Sequence, residues 1–229
     1  MKQFAYLIVC CGFLFSSVEA QSIYLSVGGG FSMMNPPGNY AFLYTGDRMS
    51  SPGKFEEMTG QKADIGFHIS SALEFRLRDA PVSFTAGVSY TQLYGKCDFV
   101  KAFSPLWYNT VFTSGDLTTR SNILSLKTGV QWQIISSPIA PYASLDLLYN
   151  IVGDTKLSIN NSYGNVEAIV DGNTRMGVSV GGGARVALLP SMDVMIGANY
   201  SLINFITPDN QEESKGAISL TVSLLYKLL

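Results

Sequence analysis

The sequence is poor in charge and nearly free of histidine. Charged residues make up 14% of its 229 residues, whereas an average globular domain has about 25%. The net charge of −2 lacks the basic excess that nucleic-acid binding requires, so no nucleic-acid partner is expected. The only histidine, His68, excludes sites built from several histidines, and neither a metal nor a cofactor is expected.

Long apolar runs are also missing after residue 20. A membrane helix needs about 20 consecutive apolar residues, and no such run occurs there, although 47% of the chain is hydrophobic and its mean hydropathy is +0.20. The apolar residues must therefore be distributed in small groups. Cysteine is scarce as well, because two of the three lie in the first twenty residues and Cys97 then has no partner for an internal disulfide.

Residues 1–20 have the pattern of a secretory signal peptide. Lys2 supplies the positively charged N-terminal region of the signal, and the apolar stretch over residues 4–15 is too short to span a bilayer. Val18-Glu19-Ala20 forms the cleavage site. We expect residues 1–20 to be cleaved, which leaves one outer-membrane barrel domain over residues 21–229.

The rest of the chain alternates between apolar and polar residues, the period-2 pattern of half-buried strands. The last segment is the clearest, because its apolar residues take the even positions from Ile218 to Leu228. Eight segments show the pattern, near residues 22–33, 63–77, 82–95, 119–135, 141–152, 173–188, 193–205 and 215–229.

These segments are long, and the connections between them alternate in length. Most have 12 to 17 residues, against about 5–6 in soluble sheets, and a tilted strand crosses a bilayer in about 9–11. The short connections are 78–81, 136–140 and 189–192, and the long ones are 34–62, 96–118, 153–172 and 206–214. The pattern predicts an all-β fold, a single eight-stranded antiparallel transmembrane β-barrel with short periplasmic turns and long extracellular loops. A secreted soluble sandwich or lipocalin-like barrel fits less well, because the polar face carries mostly Ser, Thr and Gly.

Three features together resemble the small eight-stranded outer-membrane barrels of the OmpA/OmpX-like superfamily: the alternation, the signal ending Val18-Glu19-Ala20 and the terminal strand Ser219–Leu229. The PorT-like barrel group is the alternative relative. The resemblance implies an integral protein of the outer membrane of a Gram-negative bacterium, in contact with outer-membrane lipid and lipopolysaccharide. It also implies recognition by the barrel-assembly machinery during biogenesis, although the chain ends in Leu228-Leu229 where similar proteins often end in an aromatic residue.

Odd- and even-numbered residues of a strand point to opposite faces of the sheet. This parity predicts a set of polar and charged side chains on the inner face of the barrel. The set consists of His68, Glu74, Arg76, Lys127, Asp146, Arg175 and Arg185. The interior of an eight-stranded barrel is just wide enough for side chains to fill, and an enclosed charge without a partner costs several kcal/mol. We therefore expect a plug of ion pairs and hydrogen bonds. Folding back at the turn over residues 136–140 sets Asp146 opposite residue 129 or 130, which predicts an Asp146–Lys127 contact.

Two enzymatic alternatives find weak support in the sequence. His68-Ile69-Ser70, with Glu74 four residues later, is similar to the His-x-Ser pair and carboxylate of the lipid A deacylases. Parity, however, points all three side chains into the lumen and away from lipid. A protease-type site needs clustered acids and histidine at the loop rim, where the acids are Asp47, Glu56, Glu57 and Asp64. With His68 as the only histidine, we expect no catalytic activity.

The second long connection is unusually rich in aromatic residues for an extracellular loop, which is usually polar. It contains Phe99, Phe103, Trp107, Tyr108 and Phe112. Alternation here predicts that the strands continue beyond the membrane as a protruding sheet. The aromatic set either packs on the first loop or binds a protein partner or surface glycan. We expect a non-enzymatic outer-membrane protein with a structural or surface-interaction role, or alternatively an accessory subunit of a secretion or surface-assembly machine.

Overall fold

The computed structural model describes residues 20–35, 54–77, 80–104, 110–134, 137–161, 164–170, 172–206 and 215–229. They form eleven strands: β1 (Ala20–Asn35), β2 (Lys54–Asp64), β3 (Gly66–Leu77), β4 (Val82–Ser104), β5 (Thr110–Gln133), β6 (Ile139–Val152), β7 (Thr155–Asn161), β8 (Gly164–Val170), β9 (Asn173–Leu189), β10 (Met192–Ile206) and β11 (Gly216–Lys227). No helix in these ranges is long and apolar enough to cross a membrane. The signal peptide expected at residues 1–20 lies outside the described residues except for Ala20.

Eight strands close into a ring. β3, β1, β11, β10, β9, β6, β5 and β4 are neighbours in that order, and β4 pairs with both β5 and β3 to complete it. The pairings are antiparallel, and the first and last strands pair from Tyr24↔Lys227 to Asn35↔Gly216. The other three strands lengthen this ring, since β2 leads into β3, β7 continues β6 and β8 leads into β9. The predicted fold class, a closed eight-stranded antiparallel transmembrane barrel, is confirmed.

The two ends of the barrel differ, as the alternating connections predict. Residues 78–81, 134–138 and 190–191 connect strands at one end, here called the short-turn end, and the opposite end is called the long-loop end. At the long-loop end, the segments 96–118 and 153–172 are mainly strand and not loop, which corrects the predicted loop boundaries. β4 and β5 stay paired as far as Ser104↔Thr110.

A sheet therefore extends beyond the ends of β1 and β11, as the alternation in the aromatic segment predicts. Its strands follow the order β2, β4, β5, β7 and β8. β2 pairs with the outer part of β4, and β7 pairs with the outer part of β5. We call this region the extended sheet.

The two faces of the barrel wall have opposite character. On β11 the even-numbered Leu220, Val222 and Leu224 are 53–57% exposed, whereas the odd-numbered Ser219 and Ser223 are 6–7% exposed. The same alternation recurs around the ring, and its exposed residues are large aliphatic and aromatic side chains. A continuous apolar exterior of this extent is incompatible with water and suits a lipid environment.

Two neighbouring glycines on β1 meet very different surroundings. A Cβ on Gly30 would lie 1.8 Å from the Leu220 carbonyl oxygen of β11, far inside contact distance. A Cβ on Gly29 would lie 3.3 Å from the His68 carbonyl oxygen and 3.6 Å from Ile69 Cγ2. The pairing that closes the ring therefore requires glycine at position 30 and much less so at position 29.

We expect Gly30→Ala to lower the free energy of unfolding by about 2 kcal/mol or more, because overpacking costs about 1–3 kcal/mol and the obstacle here is backbone. Gly29→Ala, the matched control, should cost less than about 1 kcal/mol. Urea titration of the protein folded into phospholipid vesicles measures both. Equal losses would contradict the close approach of β1 and β11 at Gly30.

Candidate functional site

The lumen contains two adjoining polar cavities of about 70 Å³ each. A buried water occupies about 10–15 Å³ by this measure, so each cavity has room for about five waters. His68, Lys127, Asp146 and Asn199 line both cavities. Most of the other lining residues are serine and threonine from the inner faces of the ring strands. The interior at this level is polar and not fully filled by side chains.

His68, Lys127 and Asp146 meet around these cavities from β3, β5 and β6. His68 Nδ1 shares a hydrogen bond of 2.8 Å with Thr91 Oγ1 on β4. Thr85 Oγ1 donates to Asp146 Oδ1 at 3.2 Å. The three titratable groups are thus held by different strands around one space.

The predicted register of Asp146 is correct. Asp146 pairs with Gly129 across β5 and β6, as the turn arithmetic indicates. Lys127 lines the same two cavities, as expected from its place on the neighbouring strand. Among the ion pairs of the described residues, however, none joins Asp146 to Lys127, and the hydrogen-bond donor to Asp146 is the hydroxyl of Thr85.

An ionic cluster lies in the lumen at the short-turn end. Arg185 Nη1 donates to both carboxylate oxygens of Glu74, at 3.0 and 2.9 Å. The Nε and Nη2 atoms of Arg185 each lie 2.6 Å from Asp193 Oδ2. Arg76 Nη2 lies 3.4 Å from Glu74 Oε1. The Tyr24 ring lies beneath both guanidinium groups, 4.5 Å from Arg185 Cζ and 5.1 Å from Arg76 Cζ.

Burial makes this cluster more than a surface salt bridge. The side chains of Glu74 and Arg185 are each 4% exposed, and Asp193 is 14% exposed. Three of the contacts are charge-assisted hydrogen bonds from a single guanidinium, and such bonds are stronger than those between neutral groups. Asp193 was missing from the predicted set, although the odd–even alternation along β10 assigns this residue to the inner face.

An apolar cluster lies in the lumen towards the long-loop end. Its side chains point inward from β1, β4, β5, β6, β10 and β11, and all are at most 4% exposed. They are Met34, Leu93, Ile123, Val152, Ile203 and Ala217. The sequence prediction of a charged plug missed this layer, although each residue lies on the otherwise polar inner face of its strand.

Arg175, the last member of the predicted lumen set, lies near this apolar cluster on β9. It is 5% exposed, pairs with Asn150 of β6, and donates from Nη1 to the Thr174 carbonyl oxygen at 2.9 Å. Asn150 in turn donates from Nδ2 to the Ile203 carbonyl oxygen at 2.7 Å. All seven side chains of the predicted set thus lie on the inner face, at three levels of one lumen.

The predicted partner-binding residues lie at the far end of the extended sheet. Phe99 and Phe103 belong to β4 and Phe112 belongs to β5, where Phe112 pairs with Ala102. Trp107 and Tyr108 lie outside the described residues.

The residues considered for catalysis do not form a catalytic arrangement. Ser70 and His68 line the inner cavities, and the hydrogen-bond partner of the histidine is Thr91. Glu74 is bound to Arg185 and is not an orienting partner of His68. Within the described ranges, no group of three or more His, Cys, Asp or Glu side chains can hold a metal ion.

Of the acids considered for a protease rim, Asp64 is the one whose side chain the structure describes. Asp64 Oδ2 lies 2.8 Å from Lys96 Nζ, and both side chains are at least half exposed. This hydrogen bond, together with the charge of Asp64, raises the pKa of Lys96. Glu56 and Glu57 belong to β2, and Asp47 lies outside the described residues.

Comparison with known proteins identifies the fold. A search of protein-family models and a search of curated protein sequences found no match. Among solved structures, the chain is similar to the outer-membrane protease OmpT from Escherichia coli, with a TM-score of 0.51 and 7% identity over 93% of this chain and 98% of that one. This likeness shows a shared barrel fold and nothing about activity.

Two smaller barrels are also similar in structure. Neisserial surface protein A has a TM-score of 0.45 and 15% identity, with 90% of this chain and 97% of that chain covered. Ail, the attachment invasion locus protein of Yersinia pestis, has a TM-score of 0.44 and 11% identity over 90% of this chain and 98% of that chain. The fold that the chain shares with OmpT is that of an outer-membrane barrel, as the sequence predicts.

The ionic cluster makes a direct prediction about stability. Glu74→Gln should lower the free energy of unfolding by about 3 kcal/mol, because it leaves buried Arg185 with one of its two carboxylate partners. Asp64→Asn is the matched control, since it removes the same charge from an exposed pair and should cost less than about 1 kcal/mol. Thermal unfolding followed by gel mobility measures both. A Glu74→Gln protein as stable as the control would disprove the cluster's role.

Proposed function

We propose that this chain is a non-enzymatic protein of the Gram-negative outer membrane that acts through the surface at its long-loop end. The observation that carries the proposal is a sheet extended beyond one end of a barrel whose lumen holds an ionic cluster and an apolar cluster. A closed interior leaves the outer surfaces as the places where this protein can meet other molecules. The extended sheet provides most of that surface.

Membrane insertion is supported by the exterior of the ring. Large apolar side chains are exposed on every strand of the ring, as Phe31 (65%), Trp132 (54%), Ile196 (55%) and Leu220 (57%) illustrate. A closed ring leaves no unpaired strand edge in the hydrocarbon, which is the condition for a sheet to cross a bilayer. The signal peptide expected over residues 1–20 supplies the export step, and the short-turn end then faces the periplasm.

Transport and catalysis are disfavoured by the same interior. An ion entering from the short-turn end meets the Glu74–Arg185–Asp193 cluster, and one entering from the other end meets an apolar layer. Lipid cannot reach His68 and Ser70, which face the cavities inside the ring. The interior therefore supports a structural role for the predicted lumen set, with water as its natural content.

The extended sheet supports a recognition role for the aromatic segment. β4 and β5 carry Phe99, Phe103 and Phe112 out along paired strands and end on either side of Trp107 and Tyr108. Aromatic side chains are favoured anchors at protein interfaces and on glycans, since they bury a large area at low entropic cost. We propose that this segment binds a protein partner or a surface glycan.

A test of the closed lumen is electrical. We expect the purified protein in planar bilayers to show no stable step conductance, because both the ionic cluster and the apolar layer block the path. Reproducible steps of nanosiemens size would contradict the closed interior while leaving the membrane location intact.

A test of recognition uses the two tryptophans of the chain. Trp107→Ala should abolish binding of intact cells to an array of host glycans and matrix proteins without changing the thermal midpoint of the barrel. Trp132→Ala is the matched control, because Trp132 lies on the exterior near the short-turn end. If Trp107→Ala lowers stability and leaves binding unchanged, the segment caps the barrel. Co-purification of stoichiometric envelope partners would instead support a machine subunit.

A further inference from the structure

We propose that Arg120 and Lys156 form a binding site for the phosphate head group of a membrane lipid on the outer surface of the barrel. The two residues are direct cross-strand partners on β5 and β7, and both are exposed. The proposal rests on the membrane location proposed above. It adds a defined lipid contact that the closed lumen and the aromatic segment do not involve.

The pair faces outward at the edge of the apolar exterior, and Ile169, the cross-strand partner of Lys156 on β8, is 65% exposed. Arg120 has the same parity on β5 as Leu124, which is 40% exposed on the outer face. Four residues separate them, which corresponds to about 13 Å along a strand and about 10 Å along the barrel axis at a usual tilt. The hydrocarbon gives way to head groups over roughly this distance. Arg120 and Lys156 therefore lie at head-group depth.

Neighbouring side chains hold Arg120 in place. The Tyr94 ring, directly opposite on β4, lies 5.9 Å from Arg120 Cζ. With the Gln92 amide turned so that its oxygen faces Arg120, that oxygen accepts from Nε at 2.9 Å and from Nη2 at 2.7 Å. A guanidinium fixed by a stacked ring and an amide loses little freedom when it binds a ligand. Its remaining N–H groups are available to an anion.

The acidic side chains near the pair do not form ion pairs with it in the described part of the chain. Asp64 is bound to Lys96, and Asp154 accepts from the Gly172 backbone N–H at 2.9 Å. In the described part of the chain, no carboxylate lies within ion-pair distance of Arg120 or Lys156. Two like charges directly opposite each other destabilise a sheet. An anion bound between them removes that penalty.

The chemistry of the pair fits a phosphate. Arginine offers parallel N–H donors that match phosphate oxygens, and lysine adds a compact charge beside it. Outside the barrel at this depth, the abundant anions are lipid phosphates, so the occupant is a lipid head group. Thr118 and Ser158, which pair in the next outward row, extend a polar surface beyond the site.

The test measures lipid binding by the full-length protein folded into neutral phosphatidylcholine vesicles. Adding diphosphoryl lipid A should raise the thermal midpoint of the wild type, and the double variant Arg120→Gln/Lys156→Gln should lose affinity for it about tenfold or more. Lys227→Gln is the matched control, since Lys227 is an exposed cation at the short-turn end. It should bind lipid A like the wild type.

Three results would overturn the site. They are unchanged affinity in the double variant, an equal loss in Lys227→Gln, and full competition by inorganic phosphate, which would indicate a general anion site. Folding of every variant into the neutral vesicles is checked first by its heat-dependent gel mobility. A protein that does not insert into those vesicles contradicts the membrane proposal itself, which keeps that failure distinct from failure of the lipid site.

Discussion

The pairing of the first strand with the last is the interaction on which the rest of this structure depends. β1 and β11 are far apart in sequence, yet they pair along their full common length and close the ring. An open sheet would present a row of unpaired backbone groups to lipid, at a cost of several kcal/mol for each group. Closure sends alternate side chains outward and inward, and the small residues facing the seam, above all Gly30, permit it. The apolar exterior and the polar lumen both follow from that one pairing.

The lumen contains two different kinds of cluster. At the short-turn end, Arg185 binds Glu74 and Asp193 in a buried ionic cluster. Towards the other end, side chains such as Leu93 and Ile203 form a buried apolar layer. The cavities between them are lined by His68, Lys127 and Asp146. The surfaces that we propose for function are the extended sheet and the lipid-facing wall.

Alternation in the sequence predicts the strands well, because successive side chains of each strand point in turn to the lipid and to the lumen. The same parity assigns Glu74, Arg185 and the other predicted residues to the inner face. Contacts within the lumen cannot be predicted from this alternation, since they depend on which strands face each other across the ring. Asp146 has the predicted register, but Thr85 and not Lys127 is its hydrogen-bond donor. The apolar layer was not predicted, because it lies on the inner face of the strands, which serine and threonine otherwise occupy.

The most direct test of the account is a cysteine scan along β11, in a Cys97→Ser background, with a spin label at each position from 218 to 225 in lipid vesicles. A closed barrel predicts that labels at even positions collide with oxygen dissolved in the lipid. Labels at odd positions, such as 219 and 223, should be shielded from both oxygen and a water-soluble nickel complex, because their side chains point into a closed lumen. Odd positions freely accessible to nickel, or an absence of alternation, would contradict the closed transmembrane barrel.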